Sequence, residues 1–158
     1  MAKMGSADFS EFKKLQENLN KMVGSEDARS KFCEDCAKEL AARLLRSVIQ
    51  RTPVGVYPAS SGKVGGTLRR GWTSGNDNVQ QALNNLHVTK SSGVYTIEIT
   101  NPVEYASYVE YGHRTSNHKR WVPGKFMMTI SENEIKKIAP QLLEKKLATF
   151  FGGAFDAK

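Results

Sequence analysis

Cys33 and Cys36 are the first residues in this chain whose type and spacing suit chemistry. A Cys-x-x-Cys pair serves either zinc ligation or thiol–disulfide exchange. Zinc takes about four ligands, yet the chain holds only 2 cysteines and 3 histidines. Those histidines, His87, His113 and His118, lie far from the cysteines and lack the spacing of a ligand pair. A redox pair sits at a helix N-terminus that stabilises the thiolate. Here both cysteines fall inside a helical pattern, Cys36 on its apolar stripe and Cys33 at the edge. They are expected as buried or half-buried structural thiols, with no metal and no cofactor.

His113 beside Arg114, with Glu104 and Glu110 close in sequence, offers the residue types of acid–base catalysis. Such a set also needs a nucleophile or metal against the imidazole. The serines occupy Gly-rich or polar stretches without a nucleophile-elbow pattern, so no catalytic residue is assigned. His113 is expected to close a short helix that Gly112 ends, and Arg114 to pair with a carboxylate. Two further clusters set cations beside an indole: Arg69-Arg70 before Trp72, and Lys119-Arg120 before Trp121. Cation–π packing and an interface hot spot both suit them. Trp72 reads as core, while for Trp121 core and inter-subunit contact both stand open. Tyr105, Tyr108 and Tyr111 recur every third residue, and their rings are expected to pack on a sheet.

These residues need elements to hold them. Asp8 and Glu11 form a capping box, and Phe9, Phe12, Leu15, Leu19 and Met22 keep helical spacing to Val23, where Gly24 stops the run. Ser25 caps a second helix with Glu26 and Asp27 in its first turn, and Pro53 ends it. Residues 54–66, rich in Gly, Pro and Ser, read as a mobile surface loop. A turn and a strand containing Trp72 come next, then a short helix over 79–85. The clearest strands are 86–90 and 94–100, joined at Ser91-Ser92-Gly93. Tyr105–Tyr111 reads as a short helix and Arg114–Arg120 as a loop. A C-terminal helix begins after Gly124, with a second capping box at Ser131 and Glu134. Pro140 is expected to kink or divide it, and Gly152-Gly153 to end it. The fold class is α+β, with helices packed on a small antiparallel β-sheet in a single domain with long N-terminal and C-terminal helices. Residues 1–24 form an N-terminal helical arm, 25–151 the α+β domain and 152–158 a flexible tail.

Composition agrees with a globular chain: 158 residues, 39% hydrophobic and 25% charged. No apolar run approaches the roughly 20 residues that span a bilayer, and residues 1–6 carry no apolar signal core. The net charge of +7 favours acidic partners. The basic residues are scattered without a recognition-helix signature, so sequence-specific nucleic-acid binding is not indicated, while non-specific attraction to a phosphate backbone stays open.

Two stretches carry a family resemblance. Pro102 to Met128 contains Tyr105-Ala-Ser-Tyr-Val-Glu-Tyr-Gly-His-Arg114 and then Trp121-Val-Pro-Gly-Lys-Phe-Met127. Upstream lies Gly66-Thr-Leu-Arg-Arg-Gly-Trp72. From about Asp27 to about Phe150 the chain resembles the small neck or tail-completion proteins of long-tailed bacteriophages, and its N-terminal helix lies outside that likeness. The resemblance implies a structural virion protein of the neck, made in the bacterial host cytoplasm, that completes the tail and joins it to the head. It implies a ring, six copies being the natural number. The implied partners are head-closure or connector proteins and tail-terminator and tail-tube proteins, with no membrane contact and with non-specific DNA contact in the channel left open. The candidate interface residues are Arg69, Arg70, Tyr111, Gly112, His113, Arg114, Trp121, Val122, Pro123 and Gly124, with residues 54–66 and both chain ends as docking segments. A tail-terminator ring and a basic DNA-binding accessory protein are the alternatives.

Overall fold

The computed structural model describes residues 25–75 and 78–155. The arm helix expected over Asp8–Val23 and the last residues of the expected tail lie outside them. Helix α1 spans Glu26–Arg51. The Ser25 hydroxyl accepts the Ala28 amide at 3.2 Å, and Glu26 and Asp27 occupy the first turn, so polarity and charge both suit the helix N-terminus. Pro53 sets its end.

A single 3-10 turn, Ala59–Ser61, interrupts the exposed 54–66 segment. Helix α2, Thr67–Gly71, then replaces the strand expected around Trp72. Leu68 and Trp72 stand four residues apart, a spacing that satisfies both a period of 2 and a helical turn, and a run this short does not separate the two. Helix α3 is Val79–Asn84, with the Asn78 side chain accepting the Gln80 amide at 2.9 Å.

The expected sheet is present as two separate antiparallel ladders. Strands β1 (Thr89–Ser91) and β2 (Val94–Thr96) pair around Ser92 and Gly93, whose φ values are 50° and 78°. Both are shorter than expected. Burial nevertheless alternates onward, with Tyr95, Ile97 and Ile99 half-buried while Val94, Thr96 and Glu98 are exposed. A period of two reports which side is covered, and it persists where backbone pairing has ceased. Helix α4 is Ala106–Tyr111, and β3 (Gly112–Arg114) pairs with β4 (Trp121–Pro123).

Helix α5, Met127–Phe155, is continuous. It does not restart at Ser131, which is buried with its hydroxyl donating to the Met127 carbonyl at 2.7 Å. It also runs through Pro140 and past Gly152-Gly153. Once a helix has formed, each glycine costs only about 1 kcal/mol, too little to stop it by itself.

The backbone divides into two compact units, whose boundary falls within both long helices. In the unit of residues 37–140, Leu45, Val48, Leu68 and Met127 form the buried core, with Ile49, Trp72, Ile99, Val103 and Val109 against it. In the other unit, the Phe32 ring lies 4.6 Å from that of Phe150, and Phe150 lies 5.7 Å from Phe151. Cys36 is buried there but Cys33 is exposed, contrary to expectation. Three residues apart, the two cysteines lie about 60° from each other around the helix, and the chain that covers Cys36 stops short of Cys33.

Candidate functional site

The segments Tyr111–Arg114 and Trp121–Gly124, six residues apart in sequence, meet as an antiparallel ladder. Gly112 pairs with Pro123, His113 with Val122 and Arg114 with Trp121. Two glycines permit this closeness. Gly112 has φ 89°, and a Cβ there would stand 2.6 Å from the Val122 carbonyl oxygen; at Gly124 a Cβ would stand 2.2 Å from that of Glu110. Neither position accepts a side chain without moving backbone.

The hairpin is fastened to α4 and α5. The Lys125 amide donates to the Val109 carbonyl at 2.7 Å and the Phe126 amide to that of Glu110 at 3.0 Å. The Glu110 carboxylate is buried and accepts three hydrogen bonds: from the Met128 amide at 2.9 Å, the Thr129 amide at 2.9 Å and the Thr129 hydroxyl at 2.7 Å. A carboxylate from α4 therefore caps α5, satisfying two of its free first-turn amides and meeting the positive end of its dipole. The chemistry suggested by Glu110 near His113 is thus taken up by structure. The sequence does carry a signal for it. Ala106, Val109 and Glu110 share one face of α4, and a carboxylate within an apolar stripe requires donors.

At the outer end, residues 115–120 form an ordered turn rather than a plain loop. The Thr115 amide donates to the Arg120 carbonyl at 2.9 Å, and the His118 amide to the Thr115 carbonyl at 2.7 Å. The Thr115 hydroxyl donates to Asn117 Oδ1 at 2.7 Å and accepts the Arg120 amide at 3.2 Å, while the Lys119 amide reaches Asn117 Oδ1 at 3.2 Å. Strands of three residues carry too little alternation for the sequence to reveal the pairing.

His113 takes the expected place: its Nδ1 lies 3.4 Å from the Tyr108 carbonyl oxygen and its ring 5.8 Å from that of Tyr108. The carboxylate partner expected for Arg114 is absent among the described residues. Trp121 is 60% exposed and Tyr111 64%, so neither belongs to the core. Tyr105 and Tyr108 are also exposed, against the expectation of rings packed on a sheet. The inward face of α4 is already occupied by Ala106, Val109 and Glu110.

Arg69 and Arg70 are engaged elsewhere. Arg69 donates from Nη2 and Nε to the Thr52 carbonyl, at 2.8 and 3.3 Å, and Arg70 Nη1 to the Gly65 carbonyl at 3.3 Å. Trp72 Nε1 donates to the Thr52 hydroxyl at 2.8 Å, and that hydroxyl donates to the Val48 carbonyl at 2.6 Å. Arginine and indole together tie α2 to the end of α1, as the core reading of Trp72 expects. The cation–π contacts among the described residues lie elsewhere, Lys63 on Tyr57 and Lys90 on Tyr95.

A concavity of about 720 Å³ lies between α1 and α5 in the 37–140 unit. Ala42, Ile135 and Ile138 share its lining with Glu39, Arg43 and Glu134. Arg43 pairs with Glu39 at 2.8 Å and Arg51 with Glu134, while Arg46 and Lys137 add positive charge to the lining. The hydrogen bond from Arg51 holds the Glu134 carboxyl below the usual carboxylate range. Among the described residues no group of three or more His, Cys, Asp or Glu is placed to hold a metal. No helix among them is long and apolar enough to cross a membrane.

Residues 13–112, well over half of the chain, match the HK97-gp10-like family, described as "Bacteriophage HK97-gp10, putative tail-component". No curated protein and no solved structure matches the chain. The matched range takes in much of the N-terminal segment, which carries none of the resemblance motifs. It stops at Gly112, so β4 and α5 lie beyond it. The chain belongs to the HK97-gp10-like family of bacteriophage tail components.

Proposed function

We propose that this protein completes the tail at the neck of a tailed phage and joins it to the head, acting in the virion as a ring, with six copies the natural closure. Its work is mechanical rather than catalytic. The β3–β4 face is where neighbouring copies or the head-closure and tail proteins dock, and residues 54–66 order on contact with them. The observation that carries this reading is the exposure of Trp121 and Tyr111 beside Arg114, on a hairpin locked to α4 and α5 by backbone bonds. Trp, Tyr and Arg dominate interface energetics, and a rigid hairpin loses little entropy on docking.

The test is the double variant Arg114→Glu/Trp121→Ala. Because both side chains are exposed, the free subunit should keep its circular dichroism and lose no more than about 1 kcal/mol of stability. Cells producing it should accumulate separate heads and tails. Infectious particles at wild-type titre from the folded double variant would refute the docking face. A subunit that unfolds on Trp121→Ala alone would return Trp121 to the fold.

A further inference from the structure

We infer that the outer end of the β3–β4 hairpin is a non-specific binding site for the phosphate backbone of duplex DNA. From residue 111 to residue 131 the chain carries four cations and no carboxylate; Arg114, Lys119 and Arg120 stand at the outer end, and Lys125 lies at the base fastened to α4. All four cations are exposed. The acids flanking the run do not neutralise it: Glu110 is buried with both oxygens bonded to the start of α5, and Glu132 pairs with Lys136 at 3.3 Å. Elsewhere in the described residues Arg43, Arg51 and Lys136 each have a carboxylate partner. The three cations at the outer end, Arg114, Lys119 and Arg120, have none.

Their setting is rigid. The acceptors of Thr115 and Asn117 are turned into the turn's own amides, so every charged group presented there is a donor. A preorganised surface whose charged groups are all cationic complements a ligand with a regular run of negative charge. A phosphate backbone fits that description. Nothing at the tip forms a recognition helix, so the contact carries no sequence preference. The inference does not depend on the ring, since a single subunit presents the whole tip.

The experiment measures binding of the full chain to a short mixed-sequence duplex by fluorescence anisotropy between about 50 and 200 mM salt. With about three phosphates neutralised, log K should fall against log salt with a slope of about −3. In Lys119→Gln/Arg120→Gln the slope should flatten by about 2. The turn survives these changes, because Lys119 and Arg120 hold it through backbone atoms alone. The control Arg43→Gln/Lys136→Gln should leave the slope unchanged. No binding at the lowest salt, or an identical slope in the tip variant, overturns the inference. So does displacement of DNA by polyglutamate at equal charge, which would assign the tip to an acidic protein surface.

Discussion

Glu110 shows how one side chain can fix the relation of two elements. Its carboxylate replaces water at the Met128 and Thr129 amides, which face an N-terminal turn with no local capping side chain. Glu110→Ala should destabilise the subunit by about 1–3 kcal/mol, because donors are left without a partner in a partly buried site. Glu110→Gln keeps one acceptor and loses the charge, and should cost less. Urea denaturation ranks the two, and equal small losses would mean that water replaces the cap. The cysteines make a second test at this scale. Cys33 is exposed and Cys36 buried, so an aqueous thiol reagent should modify Cys33 in the native protein and Cys36 only on unfolding. Comparable rates at both would contradict the packing around Cys36. Helical spacing puts Cys33 at the edge of the covered stripe, and only the surrounding chain shows that the stripe stops short of it.

Among elements, α1 and α5 are linked in the 37–140 unit by Glu134, which accepts from Arg51 and from the Ser47 hydroxyl, the latter at 3.2 Å. The pairing depresses the Glu134 pKa in the folded chain. Its contribution to stability is therefore present above the unfolded carboxylate pKa and is lost as pH falls through the folded value. The group lies at the surface, so salt screens the effect. In Arg51→Ala the Glu134 titration followed by NMR should move up toward the ordinary carboxylate range, and an unmoved titration would deny the link. Helices α1 and α4 and the Ser92–Gly93 turn are legible in the sequence, because caps, proline and positive-φ turns act within a few residues. The same local signals mislead at Ser131 and Glu134. Their spacing matches a capping box, but Ser131 turns its hydroxyl inward and Glu134 reaches across to α1.

At the scale of the molecule, the neck reading and the terminator reading diverge in the particles that form without the protein. Deleting the gene should leave tails of normal length that fail to join filled heads, seen by electron microscopy of lysates. Overlong tails would instead identify a terminator that caps the tube. The sequence by itself determined the α+β class, the two long helices of the described chain, and a resemblance to phage neck proteins that the family match bears out at the level of a tail component. These arise from periodicity, caps and motif order, which are written in neighbouring residues. The tertiary structure alone decided that Gly112–Arg114 pairs with Trp121–Pro123, that Glu110 caps a helix beginning 17 residues later at Met127, and that Arg69 and Trp72 close on Thr52. Such contacts join positions far apart along the chain. Which donor finds which acceptor depends on the elements that meet in space, and no local spacing encodes that meeting.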